Sequence, residues 1–199
     1  MAFMERGLIL KKETIVDSTI ISSPSSTKNK RKKRDPDAHQ VKKGNTWHFG
    51  YKAHIGVDKD SRLVHTVEAT AANVHDVTQV PKLLTEEEEV VYGDSGYLGA
   101  GNREDATVRN ESGHKIKYKI NRRPSQIRKL SKSGQYATRK VEHIKSSVRA
   151  KVERVFGVVK RQLHFRKTRY RGLEKQQAKF HIMFALANLI LADRPCLAA

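Results

Sequence analysis

The chain has 199 residues, with 40 Lys and Arg against 21 Asp and Glu, a formal net charge of +19. So large an excess in a chain of single-domain size points to a polyanionic partner, by far the commonest being nucleic acid. The lone cysteine, Cys196, excludes an internal disulfide and a cysteine zinc site, and the longest apolar run, Phe180 to Ala192, is too short to span a bilayer.

Residues 1–13 read as a short leader, 14–193 as one domain and 194–199 as a tail. "TIVDSTII", from Thr14 to Ile21, is rich in β-branched residues and predicts a core strand. Asp17 interrupts it and demands compensation. Residues 22–46 are polar and strongly basic, which predicts a flexible loop. Its "KNKRKKR" run resembles a localisation or heparin-type patch, and also fits a solvated loop that meets phosphates.

From Trp47 to Val57 apolar and polar residues alternate, which predicts a strand with one covered face. Trp47 falls on the apolar side and reads as core. His48, Lys52 and His54 fall on the other side, either as a plain solvated face or as a DNA contact. "DKDSR" predicts a turn, where Asp58 and Asp60 are routine, and "LVHTVEATAA" a returning strand. Asp76 reads as a helix cap before "VTQVPKLL". "EEEEVVYGDSGY" predicts a short buried strand ending at Gly93-Asp94, "NREDATVRN" a short helix and "HKIKYKI" a strand.

The segment 122–141 is basic and poorly periodic, and a helix runs from about Ile144 to about Leu163. At 100° per residue, Val148, Val152, Val155 and Val159 form its core stripe. Arg149, Glu153, Phe156 and Lys160 lie beside that stripe, while Lys151, Arg154 and Arg161 point to solvent. "FHIMFALANLILA" predicts a final buried helix. The order of elements implies an α/β fold, a mixed sheet flanked by helices.

Three lone carboxylates stand out in this basic chain: Asp17, Asp94 and Glu153. For Glu153 alone, an i,i+4 salt bridge with Arg149 is a sufficient account. Taken together, three acids in a partly buried site would repel each other unless a divalent cation neutralised them. Oxygen ligands suit magnesium, and two such ions serve in-line displacement at phosphorus.

These residues resemble the DDE transposases of bacterial insertion sequences, in the insertion sequence 4/5-like group. Arg149, Glu153 and Lys160 fit the last three positions of the pattern Y-x2-R-x3-E-x6-K, with Ser146 at the tyrosine position. "TIVDSTIISSPSSTKN" and "VVYGDSGY" resemble the segments bearing the first and second acids. "GNTWHFGYKAHIGVD", "TAANVHD" and "RYRGLEK" are similar to segments of the insertion sequence 5 branch, so that the likeness runs from about Leu8 to Asp193.

The resemblance implies a ribonuclease H-like fold and metal-dependent cleavage and strand transfer at transposon ends and target DNA. Asp17, Asp94 and Glu153 would be catalytic and hold two Mg²⁺, with Mn²⁺ as substitute. Arg149, Lys160, Lys52, Arg154 and Arg161 would contact double-stranded DNA. A bacterial cytoplasmic, nucleoid-associated protein is implied, without a membrane and with homo-oligomers in a synaptic complex. Related transposases carry a further domain before the first strand, so the chain is expected to be N-terminally truncated. Two other readings stay open: a silent DNA-binding fragment, and a basic nucleic-acid-binding protein with structural acids.

Overall fold

The computed structural model describes residues 9, 11–28, 30, 32–85, 87–106 and 109–192. The leader through residue 8, Asp193 and the tail with Cys196 lie outside the described residues.

Six strands form one mixed sheet: β1 (Glu13–Ser22), β2 (His39–Lys43), β3 (Thr46–Asp58), β4 (Val64–Ala71), β5 (Val90–Gly93) and β6 (Lys117–Ile120). β1 lies at its centre. On one side β3 runs antiparallel to it, with Asp17 opposite Ile55, and on the other β5 and then β6 run parallel. The far edge of β3 serves two partners in succession, β2 along Thr46–Gly50 and β4 along Tyr51–Val57. A mixed sheet of this kind needs cover on both faces wherever parallel strands sit in it.

Both faces are covered. Ile15, Ala53, Ile55 and Val57 pack under two long helices, α3 (Lys132–Gly157) and α4 (Leu173–Ala192), with Val152, Val155, Val159, Phe180 and Phe184. On the opposite face Val16 and Val91 meet Val80, Leu83, Tyr97 and Ile120, from the short helix α1 (Val80–Leu83) and neighbouring loops. Each such side chain contributes roughly 1.5–3 kcal/mol on full burial. That double cover is why β3 is buried at every residue from Gly50 to Asp58. The alternation in the sequence therefore marks two packed faces there, and the expected open face is corrected.

The α3 helix begins at Lys132, about three turns before the periodic stripe announces it, after the short helix α2 (Pro124–Arg128). Its first half buries only Glu142, so no apolar stripe was there to be read. Glu142 instead accepts from Asn121 Nδ2 and Arg122 N and pairs with Lys145. The helix ends in a π turn, Val158–Gln162, where Leu163 N donates to Val158 O. The extra residue in that turn lets Val158 and Val159 both be buried. His164, at φ 52, then turns the chain out of the helix.

Three further expectations are corrected. The 22–46 loop contains β2, which pairs with β3 as a hairpin. Trp47 is 65% exposed, because it stands at the end of β3 beyond the helices. Among the described residues, the segment expected to form a helix after Asn102 shows turns, following one 3-10 turn at Ala100–Asn102. The last helix begins with a polar turn, becomes largely apolar from Phe180 onward and is not fully covered: Ile182, Leu186 and Leu189 are exposed. No helix among the described residues is long and apolar enough to cross a membrane.

Candidate active site

Asp17 sits just beyond the point where the β1–β5 pairing stops. β5 pairs with β1 only along Glu13–Ile15, so β1 runs on past the end of its parallel neighbour and Asp17 borders the gap. Asp94 is the first residue after β5. It caps the 3-10 turn Ser95–Tyr97, its Oδ1 accepting from Gly96 N at 2.7 Å. Asp94 thus follows the carboxyl end of β5 and Asp17 lies just past the last β1–β5 pair, close enough for their charges to interact, beside the kind of strand end where open α/β sheets bind ligands.

The acids feel each other. Burial pushes the Asp17 carboxyl up to about 6, a hydrogen bond from Ser18 N opposes that, and the charge of Asp94 raises it again. Arg149 and Lys43 pull it back down. Tyr97 packs nearby with its hydroxyl buried. Burial, and then the charges of Asp17, Asp76 and Asp94, hold that phenol well above its usual range, with the Ser18 hydroxyl easing it slightly.

Arg149 reaches from α3 to Asp17, Nη1 to Oδ2 at 3.6 Å. The i,i+4 pair with Glu153 is not formed. Glu153 is exposed and makes no hydrogen bond or ion pair among the described residues. Also among the described residues, no group of three His, Cys, Asp or Glu side chains stands close enough to hold a metal. The donors Asp17 and Asp94 are hard oxygen ligands whose charges act on each other, and the buried Tyr97 hydroxyl lies beside them. That set suits a magnesium-type ion. Ser146, at the tyrosine position of the pattern, accepts from Asn121 Nδ2 at 3.2 Å.

A fourth acid belongs to this neighbourhood. Asp76 makes no cap: the residue before its 3-10 turn is His75, and no side chain caps that turn. Asp76 Oδ1 instead accepts from Ser18 Oγ at 2.9 Å and lies 3.0 Å from Lys52 Nζ and 3.5 Å from His54 Nδ1. Its Oδ2 faces Gly96, where an added Cβ would stand 4.0 Å from it and 2.9 Å from Asp94 Oδ1. Lys52 is buried, and its ammonium also donates to Val74 O at 2.7 Å. It is thus committed within the fold, which corrects its expected place on an open strand face. Burial brings His54 down to about 4 against the pull of Asp76.

Cations gather nearby. Burial lowers the Lys160 ammonium below its usual range, and the charges of Lys43 and Arg166 lower it further. Arg166 Nε donates to the carbonyl of Lys160 at 3.0 Å. Like charges held together in this way form a ready anion site. Arg154 and Arg161 are exposed and share a separate cleft of about 250 Å³ with Ile190 and Leu191.

No solved structure matches the chain. A family model does: residues 10–189 match the transposase DDE domain, a range that includes Asp17, Asp94, Arg149, Glu153 and the basic turn at Lys160, and the chain belongs to that family.

Proposed function

We propose that this chain cuts and joins DNA in transposition, as a ribonuclease H-like catalytic domain of the insertion sequence 4/5-like group, insertion sequence 5 branch. Asp17, Asp94 and Glu153 are its catalytic acids and would hold two Mg²⁺, or Mn²⁺ in their place. The observation that carries the reading is the interaction of Asp17 and Asp94 beside the end of β5, with Arg149 turned to Asp17 and Glu153 left unpaired one helical turn away. The strand order, with β3 antiparallel and β5 and β6 parallel to a central β1, supports the fold assignment.

When bound, the ions would supply the charge that neutralises the acids and the Lewis acidity that makes a water, and then a 3′-hydroxyl, nucleophilic at phosphorus. The protein's own part is positioning. Arg149 orients Asp17 by a charged contact, and Gly96 N orients Asp94. Lys160, Lys43 and Arg166 bind the phosphates flanking the reacting one, which fixes the strand in register with the acids. Arg154 and Arg161 bind a more distant stretch of the duplex.

The test is Asp94→Asn in a Mg²⁺- or Mn²⁺-dependent nicking assay on duplex DNA. Asn keeps the cap on Gly96 N and removes the charge. Nicking should fall by three orders of magnitude or more while duplex binding persists; unchanged nicking would rule the acid out. The solvent-facing Glu153 favours a second reading, a DNA-binding chain without catalysis. That reading expects binding and no nicking before any substitution is made.

A further inference from the structure

A groove of about 450 Å³ opens at the end of β1, and the proposed chemistry does not use it. Ser23 lies in its floor, the β2–β3 hairpin supplies Trp47 and Phe49 to one wall, and Lys167 and Arg34 complete the rim. Lys167 is held there by the backbone: Ser22 N donates to Arg166 O at 3.1 Å and Thr168 N to Ser22 O at 2.8 Å. The Arg34 guanidinium lies 5.6 Å above the Phe49 ring. Among the described residues, no carboxylate lines the groove.

Two features mark it as a binding site. Trp47, 65% exposed, presents an indole that a soluble surface seldom displays without a partner. Ser23 is buried, and its hydroxyl has no hydrogen-bond partner among the described residues. An aromatic face, two cations and a free hydroxyl in a concave site match a nucleotide, with a base to stack and phosphates to neutralise. A base inside a duplex is already stacked on both sides, so the matching ligand is unpaired.

The groove also lies further along β1 from Asp17, on the same face of the sheet. Trp47 and Phe49 project from the same face of β3 as Ile55, which is paired with Asp17. Ser22 stands five residues beyond Asp17 on β1, roughly 17 Å along the strand. At 3.4 Å per nucleotide that is about five nucleotides of one DNA strand. Lys160 and Arg166 continue the basic track towards Lys167.

We propose that this groove holds an unpaired nucleotide of the DNA strand engaged at Asp17, its base stacked on the Trp47 indole and its phosphates on Arg34 and Lys167. The assignment rests on the DNA-strand reading above and adds to it a preference for single-stranded or frayed DNA near the cut. Ser23 Oγ donates to the base edge or the phosphate.

Trp47 is the only tryptophan in the chain, so its fluorescence reports on the groove alone. The full chain is titrated at fixed salt with a single-stranded oligonucleotide, a blunt duplex of the same sequence, and heparin. The single strand should quench and shift the emission at lower concentration than the duplex, and heparin should bind without quenching. Trp47→Ala should weaken single-strand binding roughly tenfold more than duplex binding, with Trp47→Phe retaining most of the preference. Lys167→Ala, on the rim, should weaken single-strand quenching without altering the indole. Equal quenching by duplex or heparin, or an equal loss for both DNA forms in Trp47→Ala, overturns the proposal. A chain that nicks duplex DNA with no fluorescence response loses the groove and keeps the catalytic reading. A chain that is quenched by the single strand but never nicks keeps the groove and loses catalysis.

Discussion

Arg149 Nη1 lies 3.6 Å from Asp17 Oδ2, although Glu153, one turn further along the same helix, is the acid its spacing favours. The arginine lends partial compensation to a carboxylate that burial has made costly to ionise. With a folded pKa of about 6 against 3.8, Asp17 supports folding fully below about pH 4 and loses that support as the pH rises through 6. In metal-free buffer, Asp17→Asn should therefore stabilise the protein at pH 8 by roughly 1–3 kcal/mol and hardly at all at pH 4. Urea melts of both proteins at the two pH values check this. A gain of equal size at both would show that charge burial is not its source. The same variant should not nick DNA.

The Asp76–Lys52 pair is the reverse case, a buried cation with its partner in place. Asp76→Asn leaves the Lys52 ammonium beside a neutral amide and should cost about 2–4 kcal/mol of stability. The double variant Lys52→Met, Asp76→Asn should recover most of that loss, since it removes both charges. Thermal melts of the two single variants and the double close the cycle. Additive losses would mean that the ion pair is not what Asp76 provides.

Lys160, crowded by Lys43 and Arg166, is expected to bind a phosphate. Lys160→Ala should weaken duplex binding to a similar extent for all sequences and lower the slope of log affinity against log salt by about 1. Fluorescence anisotropy across a salt series measures it. A slope identical to that of the parent chain would take Lys160 off the DNA.

Gly50 lets β3 cross the end of β1 at close range. A Cβ there would run into the Ile21 carbonyl oxygen and stand 2.9 Å from Ser23 N, both backbone atoms that cannot step aside. Gly50→Ala should cost about 2–3 kcal/mol, a fall of roughly 5–10 °C in Tm for a chain of this size. Calorimetry gives the answer, and a variant that melts with the parent would mean the crossing is looser than these contacts indicate.

Much of the scaffold was legible in the sequence because its signals are local. β1, β5 and β6 announce themselves by short runs of branched or alternating residues, and the valine stripe of α3 by its 3.6-residue period. The acids on these elements could be singled out because a lone carboxylate in an apolar strand is anomalous by itself. The misses have one origin. Trp47 and Lys52 lie on the same alternating strand, yet the tryptophan is exposed and the lysine buried. Alternation reports which residues share a face; it cannot report where the cover over each face stops.

Asp76 shows the same limit more sharply. In "ANVHD" it has every local mark of a cap, and what makes it part of the acid neighbourhood is Ser18, Lys52 and His54 on two other strands. The β2 hairpin was hidden in a basic stretch because pairing with β3 supplies what its composition lacks.

The sequence by itself determined the charge, the α/β order of elements and the residue types able to meet a phosphodiester, since each is written within a few neighbouring positions. Tertiary structure alone decided that Arg149 turns to Asp17, that Lys52 is spent on Asp76, and that Trp47 stands open above a groove. Those choices depend on which distant segments come to lie side by side, and strand register and helix packing settle that only when the whole chain has folded.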